Sequence, residues 1–406
     1  MKLAKNSLGS LYGNYQKEKV SSGQFLDFHF NIYNKIIDVF FPKIKLGSNT
    51  IIKGEINSDK DKFVLSVKSP HVEAFDVFIE NIDMQIDNKN PLYNTLLSVD
   101  KVDSKYYNIA NANMVNIVLN DTLFVQTDFI GGKELKESYE FSFYHTINEK
   151  NQSIFGVKKS EIQFKNNVWN INPNNNNQNK IVFDENFKTY AIDNINMVSG
   201  SQHIDLAGLV NGTNEQFIDL KLENVNLYDV TPDIDSVRVD GKLNGSINFK
   251  KIKGTTIPYA DLTINYFNIN NDYYGDLSVK ADSDLSTKNY NFDIELINGD
   301  LKSFSSKGSI DFKPAEPTVI ASADFDKFKI NAFSPLGKNV LTSIRGFASG
   351  EVTITGIIKN PNIDGELNLV GAGIELPYLN VNYDFVDNTK VKLYDQIFDF
   401  QPMTVQ

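Results

Sequence analysis

Histidine, cysteine and closely spaced carboxylates are the residue types that most often carry chemistry, and this chain is poor in the first, lacks the second and is rich in carboxylates. Its four histidines, His29, His71, His145 and His203, stand singly, with no second ligand at the spacing a metal site needs. Each reads as an ordinary surface or edge residue. Cysteine is absent, which excludes disulfides, thiolate metal sites and cysteine nucleophiles. Serine is common, but no Gly-x-Ser-x-Gly elbow and no glycine-rich phosphate loop with its lysine occurs. Carboxylates are abundant, and pairs such as Asp282 with Asp284 or Asp233 with Asp235 have the spacing that puts both groups on one face of a strand. Such pairs suit glycoside hydrolysis or calcium, but beside serine, threonine and proline they read as solvated turn residues. The only tryptophan, Trp169, reads as a packing anchor. No metal, cofactor or catalytic residue is expected, and the chain does not read as an enzyme.

The elements that surround these residues are strands. From about residue 50 onward apolar residues alternate with Asn, Asp, Lys, Ser or Thr, as in Phe63-Val64-Leu65-Ser66-Val67, Ile218-Asp219-Leu220-Lys221-Leu222 and Tyr290-Asn291-Phe292-Asp293-Ile294. Helical signals are few. Ile32, Ile36 and Phe40 have helical spacing before Pro42, a run that reads equally as a buried strand, and 92–99 is expected to form a short helical turn. The tract Pro173 to Asn179, almost all asparagine, reads as a polar loop. It divides the chain into an irregular β-rich region, 1–172, and a more regular region, 180–406.

Composition sets further bounds. With 41% hydrophobic and 12% aromatic residues the chain is apolar enough to fold. A net charge of -11 argues against nucleic acid and against an anionic membrane surface. The segment Met1-Lys2-Leu3-Ala4-Lys5-Asn6-Ser7 lacks the apolar core of a signal peptide, and no window approaches ~18 apolar residues. Taken literally this is a soluble cytosolic chain; the strand pattern favours an internal piece of a longer protein with its anchor upstream.

A glycine followed by polar, apolar, polar and apolar residues recurs at Gly245, Gly275, Gly308, Gly350 and Gly365, mostly at multiples of ~15 residues, one strand plus its turn. The one-sided alternation runs on without an evident linker. Together these features predict an all-β fold with few or no helices: a long antiparallel sheet curled around its own apolar face into an elongated open groove, solenoid-like. Roughly 25 strands at ~4.8 Å each make it on the order of 120 Å long. No cap is evident in Phe398-Asp399-Phe400-Gln401-Pro402-Met403, which favours a chain that continues.

The segment Phe347-Ala348-Ser349-Gly350-Glu351-Val352-Thr353-Ile354-Thr355-Gly356 leads into Asn360-Pro361-Asn362-Ile363-Asp364-Gly365-Glu366-Leu367. It is followed by Gly373-Ile374-Glu375-Leu376-Pro377-Tyr378-Leu379-Asn380-Val381-Asn382-Tyr383. These strings resemble the TamB family of translocation and assembly module proteins, in the form found in Bacteroidetes. Gly373, Pro377, Tyr378, Asn380 and Tyr383 carry the most specific part. Upstream, Tyr144-His145-Thr146-Ile147-Asn148-Glu149 and Trp169-Asn170-Ile171-Asn172-Pro173 look similar to the same branch. The resemblance implies a periplasmic β-groove anchored in the inner membrane by an N-terminal helix. It also implies a C-terminal domain, whose start 180–406 overlaps, that meets an outer-membrane barrel of the TamA type. Anchor helix and final portion are both absent from this chain. The implied role is envelope biogenesis: conducting phospholipid between the membranes and supporting outer-membrane protein assembly or secretion.

On this reading Ile218, Leu220, Leu222, Ile247, Phe249, Leu277, Val279, Val352, Ile354, Leu367 and Leu369 line a trough for phospholipid acyl chains. A competing expectation is a periplasmic scaffold that holds unfolded outer-membrane strands by edge pairing, without lipid transport. A β-helical polysaccharide lyase comes third, since charges are dispersed.

Overall fold

The computed structural model describes residues 19, 21–33, 43–105, 107–165, 167–184, 188–212, 215–231, 237–252, 255–283, 289–337, 342–395 and 397–400. The fold is all-β, with 27 strands among the described residues and antiparallel pairing throughout their ladders. The chain divides into two compact units, Met1–Ser199 with Leu206–Val210, and Gly200–Asp205 with Asn211–Gln406. The asparagine tract thus lies within the first unit.

The first unit begins with β1 (Phe25–Ile32), β2 (Ile44–Leu46), β3 (Thr50–Asn57), β4 (Lys62–Ala74) and β5 (Val77–Asp87). It continues through β6 (Thr95–Asp103), β7 (Asn108–Leu119), β8 (Thr122–Gly131) and β9 (Glu137–Ile147). From β3 to β9 each strand pairs with the next, and β1 flanks β3. The hairpins are tight where the sequence supplies residues that tolerate positive φ. Between β7 and β8 the two-residue turn Asn120-Asp121 has φ of 48° and 59°, which matches the twist of the flanking strands.

Between β9 and β14 (Thr189–Ser199) the ladder is shared by two short pairs end to end. β10 (Ser153–Val157) with β13 (Lys180–Phe183) fills one end, and β11 (Ser160–Phe164) with β12 (Asn167–Ile171) fills the other. The asparagine tract crosses the seam between them. Asn172 and Asn179 are fully buried there: Asn172 Nδ2 donates to the Val157 carbonyl at 2.7 Å and the Asn176 carbonyl at 2.8 Å, and Asn179 Oδ1 accepts the Asn196 N–H at 2.9 Å. What reads as a solvated loop is a stitch, because each amide supplies the donors and acceptors that interrupted strands leave unpaired. Trp169 is 2% exposed in β12, opposite Ile162.

The expected helical turn at 92–99 is a correction. Leu92 is exposed in the turn before β6, and Leu96 and Leu97 sit on opposite faces of a strand paired on both sides. Two ladders outweigh a local helical spacing too short to bury a stripe. Ile32 ends β1; Ile36 and Phe40 lie outside the described residues, as do Asp233, Asp235, Asp284 and 401–403.

After β15 (Gln202–Asn211), along which the two units divide, the second unit runs β16 (Glu215–Asn226), the single helical turn α1 (Leu227–Val230), β17 (Val239–Ile252) and β18 (Thr255–Ile269). It continues with β19 (Asp272–Ser283), β20 (Asn289–Asn298), β21 (Leu301–Asp311) and β22 (Thr318–Lys329). A 3₁₀ segment, Ile330–Gly337, leads to β23 (Thr342–Ile357) and β24 (Asn360–Leu376). Then come a 3₁₀ turn, Pro377–Leu379, β25 (Val381–Asp384), β26 (Thr389–Tyr394) and β27 (Ile397–Phe400). Each strand from β16 to β24 pairs with the next, β26 pairs with β24, and β27 pairs with β26.

One form of bulge recurs three times in this unit. Glu223 and Asn224 face Asn244, Asn265 and Tyr266 face Asp276, and Asp326 and Lys327 face Ser349. In each pair the second residue has positive φ, and its N–H is accepted by the facing side chain at 2.8, 2.8 and 2.9 Å. The apolar residue that follows, Val225, Phe267 or Phe328, is turned back toward the apolar side. Three of the recurrent glycines, Gly245, Gly275 and Gly350, adjoin these facing residues. At Gly245 and Gly350 φ is 128° and 146°, and a Cβ would collide with the carbonyl oxygens of Asp261 and Glu366.

Candidate functional site: an apolar sheet face

Directly opposed residues of antiparallel strands share a face, so the registers trace the apolar positions from strand to strand. In the second unit one row runs Leu220, Ile247, Ala260, Ala281, Phe292, Gly308, Ala321, Ile354, Ile363. The next runs Leu222, Gly245, Leu262, Val279, Ile294, Ser306, Ala323, Val352, Gly365, Leu393. Ile218 and Phe249 oppose each other beside the first row, while Leu277 and Leu367 belong to a third row with Leu296, Phe304 and Phe325. Leu369 opposes Ala348 one step further. All eleven residues predicted to line a trough therefore stand on one face of one sheet.

That face has two zones. On the side of the bulges it is covered. Leu369 packs with Ile330, Ala348, Ala372, Phe385 and Val391, with Leu367 against them. Leu277 packs against Tyr274, Leu296 and Phe328, and Val352 is 6% exposed. The 3₁₀ segment at 330–337 contributes Ile330 and Ala332 to this cover. Away from it, Ile218, Leu220, Leu222, Phe249, Val279 and Ile354 are only half-buried and Ile247 is 38% exposed.

The opposite face is polar and charge-paired. Asp261, Lys280, Asp293 and Lys307 form a cross-strand row of alternating sign, with Lys307 Nζ 3.0 Å from Asp293. Glu295 pairs with Lys302, and Lys390 beside Glu366 holds that carboxyl below its usual range. Asp282 accepts a hydrogen bond from Asn291 at 3.0 Å on this face. Exposed pairs of this kind add little stability, but they keep the face wet.

The first unit repeats the arrangement, although no lining residue is predicted there. Ile52, Val67, Met84, Leu97, Met114, Thr127 and Phe141 follow one another from β3 to β9. Thr127 and the neighbouring Asn116 and His145 interrupt the apolar series, so the alternation is less regular here than in the second unit. His145 lies beside Phe155 on this face, and burial pushes its imidazole below its ordinary pKa. His71 stacks on Phe78, while His29 and His203 are exposed. Among the described residues no three His, Cys, Asp or Glu side chains are grouped to hold a metal ion.

Of the five motif residues, Pro377, Tyr378 and Asn380 form a turn, while Gly373 in β24 and Tyr383 in β25 belong to the strands it joins. Asn380, at φ 50°, returns its N–H to the Pro377 carbonyl at 3.1 Å, and Tyr378 at the tip is 94% exposed. Tyr383 opposes Ile374, and Arg345 lies against Gly373 while bonding the Tyr383 carbonyl and Asp384. No family model, no curated protein and no solved structure matches this chain.

Proposed function

We propose that the chain is a segment of a TamB-type envelope protein whose apolar sheet faces receive phospholipid acyl chains. The observation that carries this reading is the half-buried zone, where apolar side chains follow one another in register across successive strands and are only partly covered by the described residues of their unit. Monomeric soluble proteins seldom leave contiguous apolar surface of this kind unoccupied. Each acyl CH₂ laid against it contributes ~0.8 kcal/mol, and a uniform face lets the chain slide without a catalytic group. The charge-paired opposite face suits an aqueous compartment.

In this reading the segment lies in the periplasm of a longer protein. That protein is anchored in the inner membrane, meets an outer-membrane barrel of the TamA type, and moves phospholipid while supporting outer-membrane protein assembly. Support comes from the sheet face together with the resemblance at Gly373 to Tyr383. Photo-crosslinking residues placed at Leu220 and Ile247, followed by mass spectrometry of the captured species, test it. Phospholipid is the expected adduct. Capture of peptide alone would replace it with the scaffold reading, in which strands of client proteins bind.

A further inference from the structure

The apolar face of the first unit ends in a polar cluster that acyl-chain binding does not use. Glu137 and Tyr139 open β9 on the face that carries Phe141, since Glu137 opposes Gly131 and Tyr139 opposes Phe129. Tyr107, just ahead of β7, reaches the same place because Gly131 has no side chain: a Cβ there would collide with the Tyr107 hydroxyl. The Tyr139 hydroxyl donates to Glu137 Oε2 at 2.7 Å. The Tyr107 hydroxyl lies 3.0 Å from the same oxygen and 2.9 Å from the Tyr139 hydroxyl. Phe129 stacks on Tyr139, with ring centroids 4.7 Å apart and planes at 15°.

With both phenol protons directed inward, the three side chains present lone pairs and a carboxylate outward but no side-chain donor, and the one backbone donor beside them, the Gly132 N–H, is taken by Tyr107. Burial and the neighbouring carboxylate raise the pKa of both phenols, which keeps their protons in place. Glu137 is held by the two phenols, whereas the nearby Lys136 is paired with Glu134. Aromatic faces add further negative potential. Such a site suits a cation with several N–H donors, and its place at the end of an aromatic wall suits one that carries an apolar chain.

We propose that Glu137, Tyr107 and Tyr139 bind the primary ammonium of an aminophospholipid headgroup while its acyl chains lie against Phe129 and Phe141. This rests on the reading of the face as an acyl-chain surface. The test compares short-chain phosphatidylethanolamine and phosphatidylglycerol binding to the full chain, with free ethanolamine as a third probe. The ethanolamine lipid is expected to bind about tenfold more tightly, as a charge-assisted hydrogen bond would give. Glu137→Gln should abolish that preference without changing phosphatidylglycerol affinity, and Glu134→Gln, with the same change in charge, should leave it intact. Equal affinities in the unmodified chain, or a preference that survives Glu137→Gln or is lost equally in Glu134→Gln, overturn the ammonium site and leave the acyl-chain reading standing. Free ethanolamine binding as tightly as the lipid overturns the headgroup assignment. If neither lipid binds, both readings fall.

Discussion

Asn244 accepts the backbone N–H of Asn224 at 2.8 Å across a bulge in which Glu223 and Asn224 face that single residue. The bulged N–H points out of the ladder, so the side chain supplies the acceptor that the neighbouring strand cannot. Asn244→Ala is expected to destabilise the unit by about 1–2 kcal/mol, and Asn244→Asp, which keeps the acceptor, by less. Urea unfolding midpoints give the energies. Amide hydrogen exchange should show Asn224 losing protection first; unchanged protection in Asn244→Ala would remove the bulge from the account.

This bulge also marks where the sequence ceases to be transparent. Strands such as 62–67 and 218–222 are legible because one face is apolar and the other polar, and a period of two follows directly from the pleat. At Asn224-Val225, Tyr266-Phe267 and Lys327-Phe328 the alternation slips by one, which resembles the end of a strand. Only the facing partner, supplied from a different strand, turns the slip into a bulge. The recurrent glycines at 245, 275 and 350 are visible in the sequence, but their reason lies in a backbone contact between strands. Likewise the apolar face of the second unit is legible residue by residue, whereas its division into covered and uncovered zones depends on where the segment 330–337 folds back.

The seam at Asn172 supports a second prediction. Its amide is fully buried, donates to two carbonyls, and accepts the Asn176 N–H at 3.0 Å. Asn172→Ala strands these groups and should cost about 3 kcal/mol; Asn172→Asp should be at least as damaging, because a carboxylate would face two carbonyl oxygens. Trp169, two strand positions from Ile171 and itself buried, is the only tryptophan and reports the outcome by fluorescence. An unshifted unfolding midpoint for Asn172→Ala would show that the tract is dispensable.

Alkaline stability supplies a third. Burial raises the Tyr274 phenol to about 12, against an ordinary value of 10.0. Its contribution is therefore fully present below pH 10, because neither the folded nor the unfolded form is ionised there. Above pH 10 the unfolded chain loses its proton first, and stability falls until the folded phenol ionises near pH 12. The loss amounts to at most about 3 kcal/mol at ~1.4 kcal/mol per pH unit. Tyr274→Phe should flatten this part of the stability profile; an unchanged slope would assign it to other groups.

The two zones of the apolar face predict opposite consequences for the same kind of truncation. Leu369 is 6% exposed within a packed cluster, so Leu369→Ala removes contacts and leaves a cavity, at a cost of about 2–5 kcal/mol. Ile247 is 38% exposed in the uncovered zone, where water already meets much of the side chain, and Ile247→Ala should cost under ~1 kcal/mol. Lipid binding should reverse the order, with Ile247→Asp weakening acyl-chain capture and Leu369→Ala, at temperatures where it stays folded, leaving it nearly unchanged. Denaturation curves and a fluorescent fatty-acid displacement assay on these variants measure both halves. If Ile247→Ala proves as costly to stability as Leu369→Ala, the face is a closed core, and acyl chains have no surface to occupy.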